Sequence, residues 1–147
     1  MSPEAPSSGA ATHTGGCLCG AVRYEVTGPL RPVVFCHCTQ CRRSTGHFLA
    51  ATAARRRDFR VAEGAELRWY AASESAQRGF CGRCGSTLFW QPQGRDYVSI
   101  AAGTLDGATG LDSACHIFVA DKGDYYAIED GLPQHAGDDF SVAIPGG

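Results

Sequence analysis

The amino-acid sequence predicts an all-β domain with metal-binding cysteines. Short runs of β-branched and aromatic residues are separated by glycine and proline at regular short intervals, a pattern typical of all-β folds. The chain has 147 residues, the length of one ordinary domain. Seven of its eight cysteines fall in three tight clusters, and clustered thiols are typical of metal sites. We therefore expect a single domain whose strands hold the cysteine loops in place.

Nearly all of the predicted elements are strands. Segment 22–26 alternates apolar and polar residues, as a strand with one buried face does. Segments 59–61 and 67–70 are predicted to pair as a hairpin, with the turn near Glu63 and Gly64. Further strands are predicted over 32–35, 47–53, 87–90, 97–101 and 117–119, and one helical turn over 39–44.

The two ends of the chain differ from its middle. Residues 1–14 are rich in serine, alanine, proline and threonine and show no apolar periodicity, so we expect a disordered arm. The cysteine clusters belong to a predicted domain over 15–137, and 138–147 is expected to form a tail. No apolar run approaches the length of about 18 residues that a membrane helix needs, and the first residues lack the basic and apolar parts of a secretory signal. These features predict a cytoplasmic protein whose thiols remain reduced.

The charge balance excludes some classes of partner. Thirteen basic and fifteen acidic side chains give a formal charge of −2. Proteins that bind nucleic acid or anionic membranes depend on an excess of lysine and arginine. We therefore expect neither nucleic acid nor a membrane as partner.

The first group of cysteines combines Cys17 and Cys19 with Cys81 and Cys84. Each pair is followed by glycine, which permits the tight turn that aims two sulfurs at one ion. Four thiolates fill the tetrahedral positions of Zn²⁺, so this group predicts a structural site. Cys19 and Cys81 are 62 positions apart (81 − 19), and a shared ion would join distant strands. A redox-active CxxC is the alternative, although the chain lacks the βαβ pattern of redox folds.

The second group is Cys36, Cys38 and Cys41. Three thiolates leave the fourth position of Zn²⁺ open, as catalytic zinc requires. The alternative is a closed site with a fourth protein ligand. The candidates for that ligand are His47, His116 and Cys115. An open zinc site holds a small thiol as the thiolate, which attacks an aldehyde, or it polarises the carbonyl oxygen as a Lewis acid.

Four polar residues near the clusters are candidates for binding substrate. Arg42 and Arg43 follow the second group and suit the bidentate clamp that arginine forms on carboxylates, although exposed surface arginines would give the same pattern. Ser73 and Arg78 precede the CxxC motif and suit an anion, or a hydrogen-bonded brace of that loop.

Five motifs in this order resemble the glutathione-dependent formaldehyde-activating family, also called the CENP-V/GFA domain. Together they cover most of the chain, from about residue 15 to residue 135. The motifs are GCLCGAVRY at 16–24, CHCTQCRR at 36–43, RGFCGRCG at 78–85, HIFVADK at 116–122 and DGLPQ at 130–134.

The resemblance implies a fold, two metals and a reaction. The expected fold is mainly β and tent-like, with small antiparallel sheets, a structural zinc on the four-cysteine group and a catalytic zinc on the three-cysteine group. The implied reaction joins formaldehyde and glutathione as S-(hydroxymethyl)glutathione and is classed as that of a carbon–sulfur lyase. Cys115 matches no ligand position of the family. Two other interpretations stay open: a zinc-stabilised module that binds a thiol without turnover, and a zinc-ribbon interaction protein.

Overall fold

The structure, a computed structural model, describes residues 12–62, 64 and 66–146. The strands are β1 (Thr12–Gly16), β2 (Arg23–Thr27), β3 (Val33–Cys36), β4 (Leu49–Arg55), β5 (Phe59–Val61), β6 (Leu67–Ala71), β7 (Ala76–Cys81), β8 (Thr87–Pro92), β9 (Tyr97–Ala101) and β10 (Ser113–Ile117). The helices are α1 (Thr39–Thr45) and three short 3₁₀ turns at Arg56–Asp58, Ala102–Thr104 and Val119–Asp121. In this part of the chain, no helix is long and apolar enough to cross a bilayer.

The strands form two sheets, which confirms the mainly β prediction. The smaller sheet has three antiparallel strands in the order β1-β2-β5. The larger sheet has seven strands in the order β10-β3-β4-β9-β8-β7-β6. Its neighbours are antiparallel except for β10 and β3, which are parallel. It is therefore a mixed sheet, larger than the small antiparallel sheets that the resemblance implies.

Residue patterns explain where individual strands lie. In β2, Tyr24 and Val26 are buried while Arg23 is exposed, because one face of the strand packs on the core. In β9, Val98 and Ile100 are fully buried, as suits a strand in the interior of a sheet. These residues, with Phe89 of β8, belong to the main hydrophobic core, which joins the two sheets.

Two predictions about local structure need correction. The predicted hairpin of 59–61 with 67–70 is wrong, because β5 pairs with β2 and β6 pairs with β7. Phe59 packs against Phe89 of the core, with ring centroids 4.9 Å apart, so core contacts rather than chain proximity select the partner. Glu63, at the predicted turn, lies outside the described residues. The last predicted strand ends at Ile117 instead of beginning there.

The chain ends also differ from expectation within the described residues. β1 begins at Thr12, so the last three residues of the expected disordered arm form a strand, while residues 1–11 lie outside the described part. At the other end, Phe140 and Val142 of the expected tail pack against a second apolar cluster around Val34 and Cys115. The tail therefore covers part of the large sheet.

Candidate functional site

The fold brings the first group of cysteines together at the edge of the main core. Cys17 follows β1 and Cys81 ends β7, and both side chains are buried. The four ligand sulfurs of the group, which also includes Cys19 and Cys84, all lie within 4.8 Å of one another. A strand of the small sheet is thus tied to a strand of the large sheet through one sulfur cluster.

The sulfur spacing of this cluster fits a tetrahedral metal ion. The Sγ atoms of Cys17 and Cys19 are 3.7 Å apart, and those of Cys19 and Cys81 are 3.9 Å apart. Zinc–sulfur bonds of about 2.3 Å in a tetrahedron place sulfurs about 3.8 Å apart. The donor set and these two distances therefore fit Zn²⁺.

Backbone amides support the negative charge of these sulfurs. The amide of Val22 donates to Cys17 Sγ at 3.2 Å, and the amides of Arg83 and Cys84 donate to Cys81 Sγ at 3.3 and 3.4 Å. The turn after each pair needs a glycine, because Gly20 and Gly85 have φ angles of +85° and +82°, where a side chain would be strained.

A hydroxyl group also supports this cluster. Hydrogen bonds from the Ser86 hydroxyl and from the backbone amides of Cys19 and Ser86 lower the pKa of the Cys84 thiol to about 5. Ser86 Oγ lies 3.2 Å from Cys84 Sγ and also accepts a hydrogen bond from the amide of Leu18. The same serine thus links the two cysteine loops.

The second group of cysteines lies where β3 passes into α1. Cys36 ends β3, Cys38 is the N-cap of α1, and Cys41 is buried in the first turn of that helix. The three sulfurs lie within 4.8 Å of one another. The Cys41 amide donates to Cys38 Sγ at 3.3 Å, so the sulfur occupies the usual position of an N-cap oxygen. The sequence therefore builds a short helix whose cap is one of three sulfurs that could hold a metal ion.

The three thiols of the second group of cysteines differ in pKa. Hydrogen bonds from the thiols of Cys36 and Cys41 lower the pKa of Cys38, and the same contacts raise the pKa of Cys36. The guanidinium of Arg78 donates from Nη2 to Cys41 Sγ at 3.4 Å. Three cysteine sulfurs are a donor set that suits a soft divalent metal.

The second group of cysteines, Cys36, Cys38 and Cys41, lines a cavity of about 880 Å³. One wall is a row of side chains across the large sheet, in which Arg78 pairs with Trp90, Trp90 with Ser99, and Ser99 with Ala53. Ala51 and Ala53 of β4 also line the cavity, and such small side chains leave the space unfilled. A volume of this size is within the range of small-molecule binding sites.

The structure separates the four predicted substrate residues into two pairs. Ser73 and Arg78 line the cavity. Arg78 also donates from Nε and Nη2 to Gln40 Oε1 at 3.3 and 3.2 Å, so it braces α1 as well. Arg42 and Arg43 follow the cluster on α1 but do not line the cavity.

The candidates for a fourth ligand lie elsewhere in the described structure. No histidine, carboxylate or further cysteine of that part joins the three-sulfur cluster. Cys115 is buried in the second apolar cluster, and burial raises the pKa of its thiol. His47 is exposed and lies 2.8 Å from the hydroxyl of Tyr125 through its Nδ1.

His116 belongs to a buried hydrogen-bonded chain behind the cluster. Its Nδ1 lies 2.8 Å from Nε2 of His37, and its Nε2 lies 2.8 Å from the carboxylate of Asp130. His37 also contacts the hydroxyl of Tyr126. These contacts give the His37 ring its hydrogen-bond partners, Tyr126 and His116. Asp130 belongs to the DGLPQ motif. Nothing else in the sequence marked Asp130 or Tyr126 as a partner of the two histidines.

Comparisons with known proteins find a matching family and two similar relatives. The family model for the glutathione-dependent formaldehyde-activating enzyme matches residues 12–121. A relative from Schizosaccharomyces pombe, named an uncharacterized lyase, is 28% identical over 116 residues, covering 78% of this chain and 83% of the relative. A relative from Halomonas elongata, named a putative glutathione-dependent formaldehyde-activating enzyme, is 31% identical over 126 residues, covering 78% of this chain and 80% of the relative.

A solved structure has a similar fold. The crystal structure of a Rhodobacter sphaeroides protein aligns with a TM-score of 0.55 and 32% sequence identity. The alignment covers 66% of this chain and 91% of that protein. The mixed sheet and the small sheet are therefore an arrangement that is not peculiar to this chain.

Proposed function

Because the chain belongs to the glutathione-dependent formaldehyde-activating family, we propose that it is a zinc-dependent enzyme of the carbon–sulfur lyase type. Its proposed substrate is the adduct of a small thiol, glutathione, with an aldehyde, formaldehyde. In the synthetic direction the thiol sulfur bonds to the formaldehyde carbon, the carbonyl π bond breaks, and the thiol proton ends on the new hydroxyl oxygen. No oxidant or reductant is needed, and the reverse direction breaks the carbon–sulfur bond.

One observation supports this proposal above the others: the two cysteine clusters differ in access. Cys36, Cys38 and Cys41 all line the large cavity, whereas none of the other group's sulfurs does. A four-sulfur site has no position for substrate, while a three-sulfur site next to a cavity has one. We call the four-cysteine group (Cys17, Cys19, Cys81 and Cys84) the closed cluster and the three-cysteine group (Cys36, Cys38 and Cys41) the open cluster. We assign the structural zinc to the closed cluster and the catalytic zinc to the open cluster.

The chain's own residues prepare the open cluster for a cation and a thiol. The backbone amide of Cys41 donates to Cys38 Sγ, and the guanidinium of Arg78 donates to Cys41 Sγ. Both donors favour negative charge on these sulfurs. Bound zinc would supply a Lewis acid that keeps a substrate thiol deprotonated at neutral pH. All eight cysteines are free thiols, and we propose a cytoplasmic location, where thiols stay reduced.

Exchange spectroscopy by NMR tests the reaction directly. The measured quantity is the rate at which formaldehyde exchanges between its hydrate and S-(hydroxymethyl)glutathione, with and without protein. We expect the native protein to exceed the spontaneous rate and Cys38→Ala to match it. Cys115→Ala is the matched control, since Cys115 is a buried thiol outside both clusters, and it should retain the native rate.

Two outcomes would overturn the enzymatic proposal. A zinc-loaded native protein that leaves the spontaneous rate unchanged is not this enzyme. If such a protein still binds glutathione in calorimetry, it is a thiol-binding module without turnover. Equal acceleration by native protein and Cys38→Ala would show that the open cluster is not the reactive site.

A further inference from the structure

Arg31 is a buried cation to which the described residues give no carboxylate partner. Its side chain is only 7% exposed. Its Nε and Nη2 donate to neutral carbonyl oxygens, those of Pro32 at 3.3 Å and Ala51 at 2.9 Å. The ring of Phe140 lies 5.9 Å from the guanidinium carbon, a cation–π contact that brings no negative charge. No aspartate or glutamate of the described structure forms an ion pair with Arg31.

Burying a charge that has no oppositely charged partner costs free energy. Transfer of an ionised group out of water costs several kcal/mol unless an opposite charge compensates it. Burial accordingly lowers the pKa of Arg31, but arginine remains charged in proteins. The fold therefore holds in place a positive charge that an anion from outside would neutralise.

Arg31 lines the same cavity as the open cysteine cluster. It precedes Cys36 by five positions (36 − 31), and its main chain extends the pairing of β3 with β4, because the Arg31 amide donates to the carbonyl of Ala53 at 2.9 Å. Five extended residues span roughly 16 Å at about 3.3 Å each. The Arg31 main chain is therefore roughly that far from Cys36, whereas its guanidinium lies nearer, because it donates to the carbonyl of Ala51, which pairs with Val34, two positions before Cys36.

The other charged residues of the cavity leave Arg31 available. Asp121 and Asp138 line the cavity but are exposed. Arg78 and Arg95 also line it, so three cations face two exposed carboxylates. The cysteine cluster adds negative charge to the same lining, and the guanidinium of Arg78 faces it through the hydrogen bond to Cys41 Sγ.

We propose that Arg31 is an anion-binding subsite that takes a carboxylate of the thiol substrate. That the ligand is a thiol rests on the proposed function, whereas the anion site rests on the burial and partners of Arg31 alone. A ligand that contacts both Arg31 and the open cluster must have its carboxylate several bonds away from its sulfur. Peptide thiols meet this condition, and small thiols without a carboxylate, such as 2-mercaptoethanol, do not.

Calorimetry with S-methylglutathione tests the subsite without any reaction. This probe keeps both carboxylates but has no free thiol. We expect Arg31→Gln to weaken its binding to the zinc-loaded protein by about tenfold to a hundredfold, as loss of a charged hydrogen bond does. Arg60→Gln, which removes an exposed arginine outside the cavity, should bind like the native protein. Equal affinity of native protein and Arg31→Gln would overturn the proposal.

The methyl diester of the same probe shows whether charge is what Arg31 recognises. The diester should bind the native protein as weakly as the acid binds Arg31→Gln, and the substitution should not weaken it further. Acetate distinguishes a substrate carboxylate from any free anion. Acetate that binds Arg31 as tightly as S-methylglutathione does would contradict a substrate subsite. If Arg31→Gln does not fold, as judged by circular dichroism, Arg31→Met takes its place with the same expected loss.

Failure of the subsite and failure of the enzymatic proposal give different results. If no thiol shows protein-dependent exchange but S-methylglutathione binding still depends on Arg31, the subsite stands and the reaction is wrong. If exchange is accelerated and Arg31→Gln leaves the KM for glutathione unchanged, the reaction stands and the subsite is wrong.

Discussion

Replacing Cys84 by serine tests whether the closed cluster stabilises the fold. Serine is nearly the same size and keeps a hydroxyl within reach of Ser86 Oγ, which lies 3.2 Å from Cys84 Sγ. The side chain is half-buried, so loss of packing is small. The substitution therefore removes chiefly one metal ligand.

The expected loss can be worked from the length of chain that the cluster closes. The cluster joins Cys19 to Cys81, 62 positions apart (81 − 19). A covalent link that closes a loop of that length contributes about 4 kcal/mol through the entropy of the unfolded chain. Typical domains have an unfolding free energy of only about 5–15 kcal/mol. We expect the three remaining sulfurs to lose the ion, so that Cys84→Ser loses about 4 kcal/mol and aggregates or unfolds at temperatures that the native protein tolerates.

Urea denaturation followed by tryptophan fluorescence, together with zinc content per chain, measures this loss. Cys115→Ala serves as control, because it removes a buried thiol outside both clusters and should cost only about 1 kcal/mol. A Cys84→Ser protein with the native midpoint and the native zinc content would refute the structural assignment of the closed cluster.

Two further predictions concern the open cluster and its surroundings. Cys41→Ser should remain folded, because the open cluster does not join the two sheets, and it should contain about one zinc less per chain by elemental analysis. Loss of both metals would show that the two sites are coupled. Burial and the neighbouring His116 lower the pKa of His37 to about 4, from an ordinary value of 6.5. The unfolded chain therefore takes up this proton first, so the contribution of His37 to stability is full above pH 6.5 and is lost as the pH falls toward 4. Titration of the His37 ring by NMR checks this, and a midpoint near 6.5 would contradict it.

Sequence reasoning succeeded where the signal is local. The strands at 59–61 and 97–101 and the helical turn near Thr39 agree with the structure, because alternation and capping act within a few residues. The cysteine spacings likewise led to two clusters that the fold does assemble. The spacing of thiols within each loop fixes which sulfurs can share an ion.

Partner choice between strands was not predictable in the same way. The segment between β5 and β6 contains Gly64, and a glycine near a short link favours a hairpin. Phe59 instead packs against Tyr24 and Phe89 in the core. Such contacts join residues far apart in the chain, and no local pattern in the sequence encodes them.

The cavity depends on sheet register, which the sequence did not reveal. The predicted strand 47–53 contains small apolar residues that would fit a tightly packed interior equally well. Only the pairing of Ala53 with Ser99, and of Ala51 with Val34, shows that both alanines face the cavity. The importance of Arg31 was hidden for the same reason, since its burial, and the lack of an ion-pair partner for it among residues 12–62, 64 and 66–146, are properties of the folded chain.

The two clusters also explain how the fold can keep a cavity of this size. Unfilled space beside Ala51 and Ala53 forgoes apolar packing, and each missing contact reduces stability. The closed cluster lies at the edge of the main core, where Cys17 and Cys81 are buried among its residues, and a structural metal contributes directly to folding free energy. Stability is thus supplied on one side of the large sheet, which leaves the opposite side free to hold a buried cation and an open sulfur cluster. Removing the zinc of the closed cluster should therefore weaken the binding of substrate at the cavity, although none of the four cysteines of that cluster lines the cavity.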